Sequence, residues 1–134
     1  MRFQYTIRRN DPVTEQRDRE LEDYLASLQP TPWTAVTFQN SWVNVAGLQP
    51  AQYRRIGDMV HLRGYIDTGA DATTAFTLPA GFRPPGNLDI PASSWTGTAH
   101  VGGNIYVQTS GSVTPLRFSG SGSISYSCQF SISP

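Results

Sequence analysis

Apolar and polar residues alternate with a period of two through most of the chain from Trp33 onward, and Gly, Pro, Asn and Asp break the alternation at short intervals. The last segment has the clearest pattern, because serines and Gln129 separate its apolar positions. These apolar positions are Ile124, Tyr126, Cys128, Phe130 and Ile132. A strand of this kind packs one face into a core and turns the other to water or to a neighbour.

The same alternation predicts strands along the whole region. They are residues 34–39, 42–45, 52–56, 59–66, 75–78, 98–101, 105–109, 112–118 and 122–132. About eight short strands in roughly a hundred residues are typical of a jelly-roll-like β-sandwich and less so of a barrel that encloses a ligand. Prolines 79, 84, 85, 91 and 115 favour irregular connections and edge positions, and 78–91 is predicted to be a long loop. The fold class is therefore all-β.

The first residues follow a different pattern. Phe3, Tyr5 and Ile7 alternate with polar residues, which indicates a strand with one apolar face. Such a strand has no partner in its own segment. We therefore expect an extended N-terminal arm that adds a strand to the sheet edge of a neighbouring chain.

A short helix is predicted between the arm and the β region. Pro12 suits the first helical turn, and the helix should run to about Leu28, before Pro30 and Pro32 end it. The apolar positions with helical spacing are Leu21, Tyr24, Leu25 and Leu28. They span only two turns, so we expect this helix to contact the same helix of neighbouring chains over a short length and not to form a long coiled coil. The boundaries are 1–32 for arm and helix and 33–134 for the β-sandwich.

Charge and cysteine content exclude several classes of function. Ten basic and ten acidic residues cancel, so no net field attracts nucleic acid or an anionic membrane. Cys128 is the single cysteine, which rules out an intrachain disulfide. The sequence has no run of about 18 apolar residues and no apolar signal-peptide core. We expect no nucleic-acid or membrane partner.

One segment matches a catalytic motif. Residues 67–71 read Asp-Thr-Gly-Ala-Asp, as in the active-site loop of retroviral-type aspartic proteases. That chemistry needs two such loops from a two-fold dimer, whose carboxylates share a proton. The sequence shows no later apolar-Gly-Arg-Asp/Asn segment, so a tight turn between strands is the competing interpretation. A dimeric aspartic protease therefore remains the least favoured of the three hypotheses of function; the other two follow below.

Other catalytic or metal sites lack support. His61 and His100 are the two histidines, and no cysteine or carboxylate cluster lies near them in sequence. The chain has no nucleophile elbow, P-loop or dinucleotide fingerprint. We predict no enzyme activity, no cofactor and no metal, although one histidine per chain can meet its copies on the axis of a trimer and bind a metal there.

The large aromatic residues are the remaining candidates for ligand contact. Most of them should pack in the core or in an interface between chains. Trp95, flanked by small polar residues in a stretch predicted to be irregular, is the candidate receptor contact.

Two segments carry a family resemblance. Tyr53–Gly64 (YRRIGDMVHLRG) followed by Phe76–Pro84 (FTLPAGFRP) resembles the head domains of bacteriophage tail, fibre and receptor-binding proteins. The resemblance spans residues 33–134 and implies a jelly-roll homotrimer displayed on the surface of a virion. Gly57-Asp58 suits the tight turn between two strands, and Arg83 can cap loop carbonyls.

The resemblance leads to two hypotheses of function. About thirty residues precede the β region, where such proteins usually have a long shaft, which favours a trimeric capsid decoration or short head fibre. The alternative is a tail-associated adhesin that recognises a host surface glycan. In either case the arm is expected to attach the chain to other virion proteins. The residues expected to anchor it are Phe3, Tyr5, Ile7, Arg8 and Arg9.

Overall fold

The computed structural model describes residues 12–134, with side chains from residue 15 onward. In this part of the chain one helix, α1 (Pro12–Ser27), precedes nine strands. The strands are β1 (Thr34–Ala35), β2 (Val43–Asn44), β3 (Gln52–Ile56), β4 (Met59–Asp67), β5 (Phe76–Thr77), β6 (Leu88–Trp95), β7 (His100–Val107), β8 (Ser112–Arg117) and β9 (Ser123–Ser131). The predicted N-terminal arm lies outside the described residues.

The strands form one curled antiparallel sheet in the order β1-β3-β4-β9-β6-β7-β8-β5, with β2 paired to β4. Only three residue pairs join β9 to β6, from Ser93 with Ser125 to Trp95 with Ser123. Beyond Ser93 the two strands separate, so the sheet divides into two layers. This arrangement agrees with the predicted jelly-roll-like β-sandwich, and the all-β class is confirmed.

The core lies between the two layers. Inward residues of β4 alternate strictly with outward ones along the strand, as a strand with one buried face requires. Fully buried side chains come from both layers and include Leu62, Ile66, Phe76, Ile105 and Ile124. Trp42 is also buried, and its indole Nε1 donates to Thr73 Oγ1 at 3.1 Å. One hydrophobic cluster therefore holds both layers together.

The segment after α1 is fixed to the β3–β4 turn. The backbone N–H of Thr31 donates to the carbonyl of Arg55 at 2.8 Å, and the Arg55 N–H donates to Thr31 Oγ1 at 2.8 Å. Leu28 lies beside Gly57 in that turn. The helix therefore leaves the sandwich from the end that carries the β3–β4 turn. Within residues 12–134, the helix α1 is not long and apolar enough to cross a membrane.

Two predicted turns are confirmed. Ile56 pairs with Met59 across a two-residue loop, and Gly57 has φ 56°, which suits the first position of such a hairpin. Gly81 has φ 90° in the corner after β5, where few other residues fit. The Nε of Arg83 donates to the carbonyl of Leu78 at 2.9 Å, as expected of a loop-capping arginine.

The predicted loop 78–91 is wrong from residue 88, because β6 begins at Leu88 and includes Pro91. Pro91 pairs with Asn104 on the β7 side, while the β9 ladder does not reach it. Proline is tolerated there because no partner on the β9 side needs its missing N–H. The prediction that Trp95 lies in an irregular stretch is wrong for the same reason, since Trp95 is the last residue of β6.

Two other predicted boundaries differ. Residues 98–101 and 105–109 were expected as separate strands, but His100–Val107 is continuous. Its central glycines allow close packing: a Cβ at Gly102 would lie 2.9 Å from the ring of Phe118, and one at Gly103 would lie 2.7 Å from the Leu116 carbonyl. The predicted strand 34–39 keeps only two paired residues, because its later N–H groups bond to two different segments.

Candidate functional site

Strand register places the helix and Trp95 at opposite ends of the sandwich. Met59 pairs with Ser131 at the end near the helix, and Ile66 pairs with Ile124 at the other end. Trp95 pairs with Ser123, one residue from Ile124 on β9. The end that carries Trp95, the distal end, also carries the turns at 96–99 and 118–122 and the loop 67–71. It is the end opposite the segment that joins α1 to the sandwich.

Trp95 and His100 form an aromatic pair at this distal end. Their rings lie with centroids 4.6 Å apart and a tilt of 51°, and they face each other across the β6–β7 turn. Ser93 Oγ lies 3.5 Å from His100 Nδ1. Trp95 is half-buried and His100 is exposed. An aromatic ring with neighbouring hydroxyl and imidazole groups can stack on a sugar and hydrogen-bond to it.

A groove of about 390 Å³ opens on β4, β9 and β6 where β9 and β6 separate. Its lining combines small side chains with Arg63, Gln49 and two tyrosines. The tyrosines are Tyr65 and Tyr126, and the small residues are Gly64, Pro91, Ala92, Ser125 and Ser127. A second hollow of about 300 Å³ shares Ser127 and includes His61 and Gln129. The outward face of these strands is therefore concave, and its lining combines polar and apolar groups.

Two arginines contact Trp33 beside this groove. The guanidinium carbons of Arg54 and Arg63 lie 4.4 Å and 3.7 Å from the centroid of the Trp33 ring. The Nε and Nη2 of Arg63 also donate to Gln52 Oε1, at 3.1 Å and 2.8 Å. We call Trp33, Arg54 and Arg63 the arginine pair site. Sequence inspection missed it, although the two-residue turn at 57–58 sets a register that puts both arginines on one face of the hairpin.

The Asp-Thr-Gly-Ala-Asp segment forms a loop around Arg117. Arg117 is only 6% exposed, and its guanidinium contacts Asp71 at 2.8 Å and Asp67 at 3.6 Å. It also donates to the carbonyls of Gly69, at 2.6 Å, and Gly122. The two aspartates therefore bind an arginine of their own chain, which gives the motif a structural role. A protease dyad would instead need the Asp67 carboxylate to meet the same carboxylate of a second chain.

Burial raises the pKa of two groups on β9. The pKa of the Cys128 thiol rises from 9.0 to about 11. The pKa of the Tyr126 phenol rises further, mainly through burial and secondarily through the nearby Cys128. Cys128 packs against the core, so the thiol is protonated at neutral pH and lacks the depressed pKa of a reactive cysteine.

Comparison with known proteins adds two structures. The crystal structure of the receptor-binding protein gp15 of Listeria phage PSA matches with a TM-score of 0.61 and 19% identity, over 92% of this chain and 80% of that chain. The head domain of lactococcal phage bIL170 matches with a TM-score of 0.55 and 19% identity, over 75% of this chain and 96% of that chain. No protein-family model and no curated protein sequence matches.

This chain has the fold of phage receptor-binding heads. The resemblance inferred from the two sequence segments is thus confirmed at the level of fold. Residues 33–134 make up about three-quarters of the chain. The gp15 match covers more than that, so it extends into the residues before the head.

The helix that precedes this head presents its apolar side chains to solvent. Their exposed fractions are 56% for Leu21, 61% for Tyr24, 49% for Leu25 and 42% for Leu28. Leu21, Tyr24 and Leu25 lie within α1, and Leu28 follows it. The hydrophobic core contains none of the four. The candidate anchoring residues Phe3, Tyr5, Ile7, Arg8 and Arg9 lie outside the described residues.

The histidines of the head domain lie apart. His61 is on β4 and His100 is on β7, with β9 and β6 between them. In residues 15–134 no group of three or more His, Cys, Asp or Glu side chains is arranged to hold a metal ion. The described residues thus offer aromatic, guanidinium and hydroxyl groups for ligand recognition.

Proposed function

We propose that this chain is the receptor-binding head of a bacteriophage, carried at the tail on the virion surface, and that it recognises a host surface glycan. The main support is the fold, which two phage receptor-binding proteins share over most of the chain. The placement of Trp95 and His100 at the end opposite the helix also supports it. A head attached through its N-terminal side would present this aromatic pair outward.

The proposal prefers the second of the two hypotheses drawn from sequence. The first hypothesis, a capsid decoration or short head fibre, was based on the short segment that precedes the β region. Both matched structures come from receptor-binding proteins, which favours the tail-associated adhesin. The binding role assigned here is non-enzymatic.

We further propose that the head acts as a homotrimer whose helices meet through Leu21, Tyr24, Leu25 and Leu28. Four apolar side chains that are each more than 40% exposed are unfavourable on an isolated helix. Three parallel copies of α1 would bury them in a common seam. The arm with Phe3, Tyr5, Ile7, Arg8 and Arg9 would then attach this trimer to other tail proteins.

Cell binding tests the receptor role. Purified chain, labelled with a fluorophore, should bind envelopes of the bacterium that the phage infects and compete with phage adsorption. Trp95→Ala and His100→Ala should each reduce binding at least tenfold. Tyr106→Ala is the matched control, since Tyr106 lies at the opposite end of β7 and should bind as the wild type does. Undiminished binding by Trp95→Ala would contradict the assigned contact.

Location on the particle tests the tail assignment. Gold-labelled antibody against the chain should mark the tail in electron micrographs, with few copies per particle. Labelling spread over the capsid would reject the tail assignment and support capsid decoration.

Deleting residues 1–10 tests the anchoring role of the arm. The deletion should abolish incorporation into particles, while the isolated head keeps its β-sheet circular dichroism. Normal incorporation of the deletion variant would reject the anchoring role.

A further inference from the structure

The arginine pair site carries positive charge without a counter-charge. Among the described residues, neither Arg54 nor Arg63 has a carboxylate within 4.0 Å, whereas Arg117 has two. The guanidinium carbons of Arg54 and Arg63 lie 4.4 Å and 3.7 Å from the centroid of the Trp33 ring. The two carbons are therefore at most 8.1 Å apart. The Nε of Arg54 is buried and has no hydrogen-bond partner. Two guanidiniums beside one ring, with no carboxylate near them and one donor unused, favour an acidic ligand group.

The neighbours on the sheet reinforce this charge. His61 is the register partner of Arg54 on one side and of Gln129 on the other. Arg63 is the register partner of Gln52 and of Ser127. None of these side chains is a carboxylic acid. An anion on this face would therefore meet several donors and no repelling carboxylate among its register partners.

Trp33 and Gln52 keep the arginines in place. The indole ring contacts both guanidiniums, and Gln52 accepts two hydrogen bonds from Arg63. Ordered guanidiniums lose less conformational entropy on binding a carboxylate or phosphate than mobile ones do. Trp33 and Gln52 are thus positioning residues for the two arginines.

The groove begins at Arg63 of this site and extends along β9 as far as Ser125, two residues before Ser123, the register partner of Trp95. Arg63 and Tyr65 line one wall, Ser125 and Ser127 follow on β9, and Pro91 lies on β6. From Ser127, the register partner of Arg63, to Ser123, the register partner of Trp95, β9 spans four residues, or roughly 13 Å. An extended oligosaccharide fits this path better than a single sugar, since it reaches both groups.

We propose that the groove binds an anionic oligosaccharide whose acidic group lies against Arg54 and Arg63 while its chain runs along β9 toward Trp95. The proposal rests on the receptor-binding function and names the ligand class. The shared chemistry is a phosphate or a carboxylate on a glycan, because guanidinium groups bind either through paired N–H donors.

Immobilised polymers test the ligand class. Full-length chain is passed over phosphomannan, polygalacturonate and uncharged dextran in 150 mM salt, and binding is followed by interferometry. We expect binding to at least one anionic polymer and none to dextran. The two anionic arms distinguish phosphate from carboxylate. Absence of binding to both anionic polymers, or equal binding to dextran, would overturn the proposal.

Variants test the residues. Arg54→Gln and Arg63→Gln should each weaken binding to the anionic polymer at least tenfold, and Ser127→Tyr should weaken it by filling the groove. Trp33→Leu should weaken binding less than the loss of either arginine, because it disorders the guanidiniums but keeps their charge. Arg19→Gln, on an exposed part of α1, controls for net charge and should change binding less than twofold. Equal losses in Arg19→Gln would overturn the assignment.

Two further readouts separate the possible failures. If the wild type binds host envelopes and the double variant Arg54→Gln/Arg63→Gln binds them equally, the anion site is rejected while the receptor role stands. If the wild type binds no envelope, the receptor role itself fails, whatever the polymers show. Light scattering reports the mass of each variant. A change of mass in the arginine variants would mean that this face contacts another copy, which would also reject the proposal.

Discussion

The Nε of Arg117 donates to Asp71 Oδ1 at 2.8 Å, and the backbone N–H of Arg117 donates to the same oxygen at 3.0 Å. These residues are 46 positions apart, so the interaction closes the loop 67–71 onto β8. The guanidinium also lies 4.9 Å from the centroid of the Trp42 ring. The Asp-Thr-Gly-Ala-Asp loop thus binds the buried side chain of Arg117.

Removing this arginine should destabilise the head strongly. Arg117→Met leaves Asp71 and two carbonyls without their donor, and we expect the free energy of unfolding to fall by about 3–5 kcal/mol. Asp71→Asn should also destabilise, whereas Asp67→Asn should have less effect because Asp67 is 3.6 Å away and more exposed. Urea denaturation measures all three. Equal losses for Asp67→Asn and Asp71→Asn would contradict this ranking.

Gly69 should resist substitution. It is buried, and a Cβ at this position would overlap the indole ring of Trp42, which is itself fixed in the core. Gly69→Ala should therefore lower the free energy of unfolding by about 3 kcal/mol through overpacking. Gly86→Ala is the matched control, since a Cβ there meets no atom within 4 Å. Thermal denaturation of both variants checks the difference, and similar melting temperatures would refute it.

Tyr126→Phe should stabilise the head. The Tyr126 hydroxyl is buried without a hydrogen-bond partner, and burial raises its pKa. Phenylalanine keeps the ring and removes the unsatisfied group, so the free energy of unfolding should rise by about 1 kcal/mol. Tyr106→Phe, at a half-buried position on β7, is the comparison and should change stability less. A loss of stability in Tyr126→Phe would indicate a hydroxyl partner.

Alkaline pH should weaken the fold through Cys128. Burial raises the pKa of this thiol from 9.0 to about 11, so the folded state favours the protonated form. This contribution to stability is complete below pH 9 and is lost as the pH rises toward 11. Cys128→Ser should therefore show a smaller fall in unfolding free energy between pH 9 and 11. Parallel curves for wild type and variant in urea titrations would contradict the expectation.

The helix should control oligomeric state. Leu25→Glu places a charge in the proposed seam, and light scattering should report a monomer for this variant and a trimer for the wild type. Glu22→Gln is the control on the same helix and should remain trimeric. Unchanged mass in Leu25→Glu would show that the helices do not hold the trimer. The β-sheet circular dichroism of the variant should be unchanged, because α1 contributes nothing to the core.

Local patterns predicted the parts of the fold that depend on nearby residues. The alternation of β9, the hairpin at Gly57 and the cap by Arg83 follow from periodicity and turn chemistry. Strand β6 was missed because Pro91 is a strand breaker in most sheets. It is tolerated here because β9 leaves β6 at Ser93, and a sequence pattern does not show where two strands separate.

The sequence by itself determined the all-β class and the helical spacing of the apolar residues near the end of α1. These depend on side-chain periodicity, which each segment carries alone. The tertiary structure decided that Asp71 binds Arg117 and that Trp33 contacts two arginines. Both arrangements join residues from separate segments through the register of a curled sheet. Pairwise geometry of that kind arises only when the layers close over a common core.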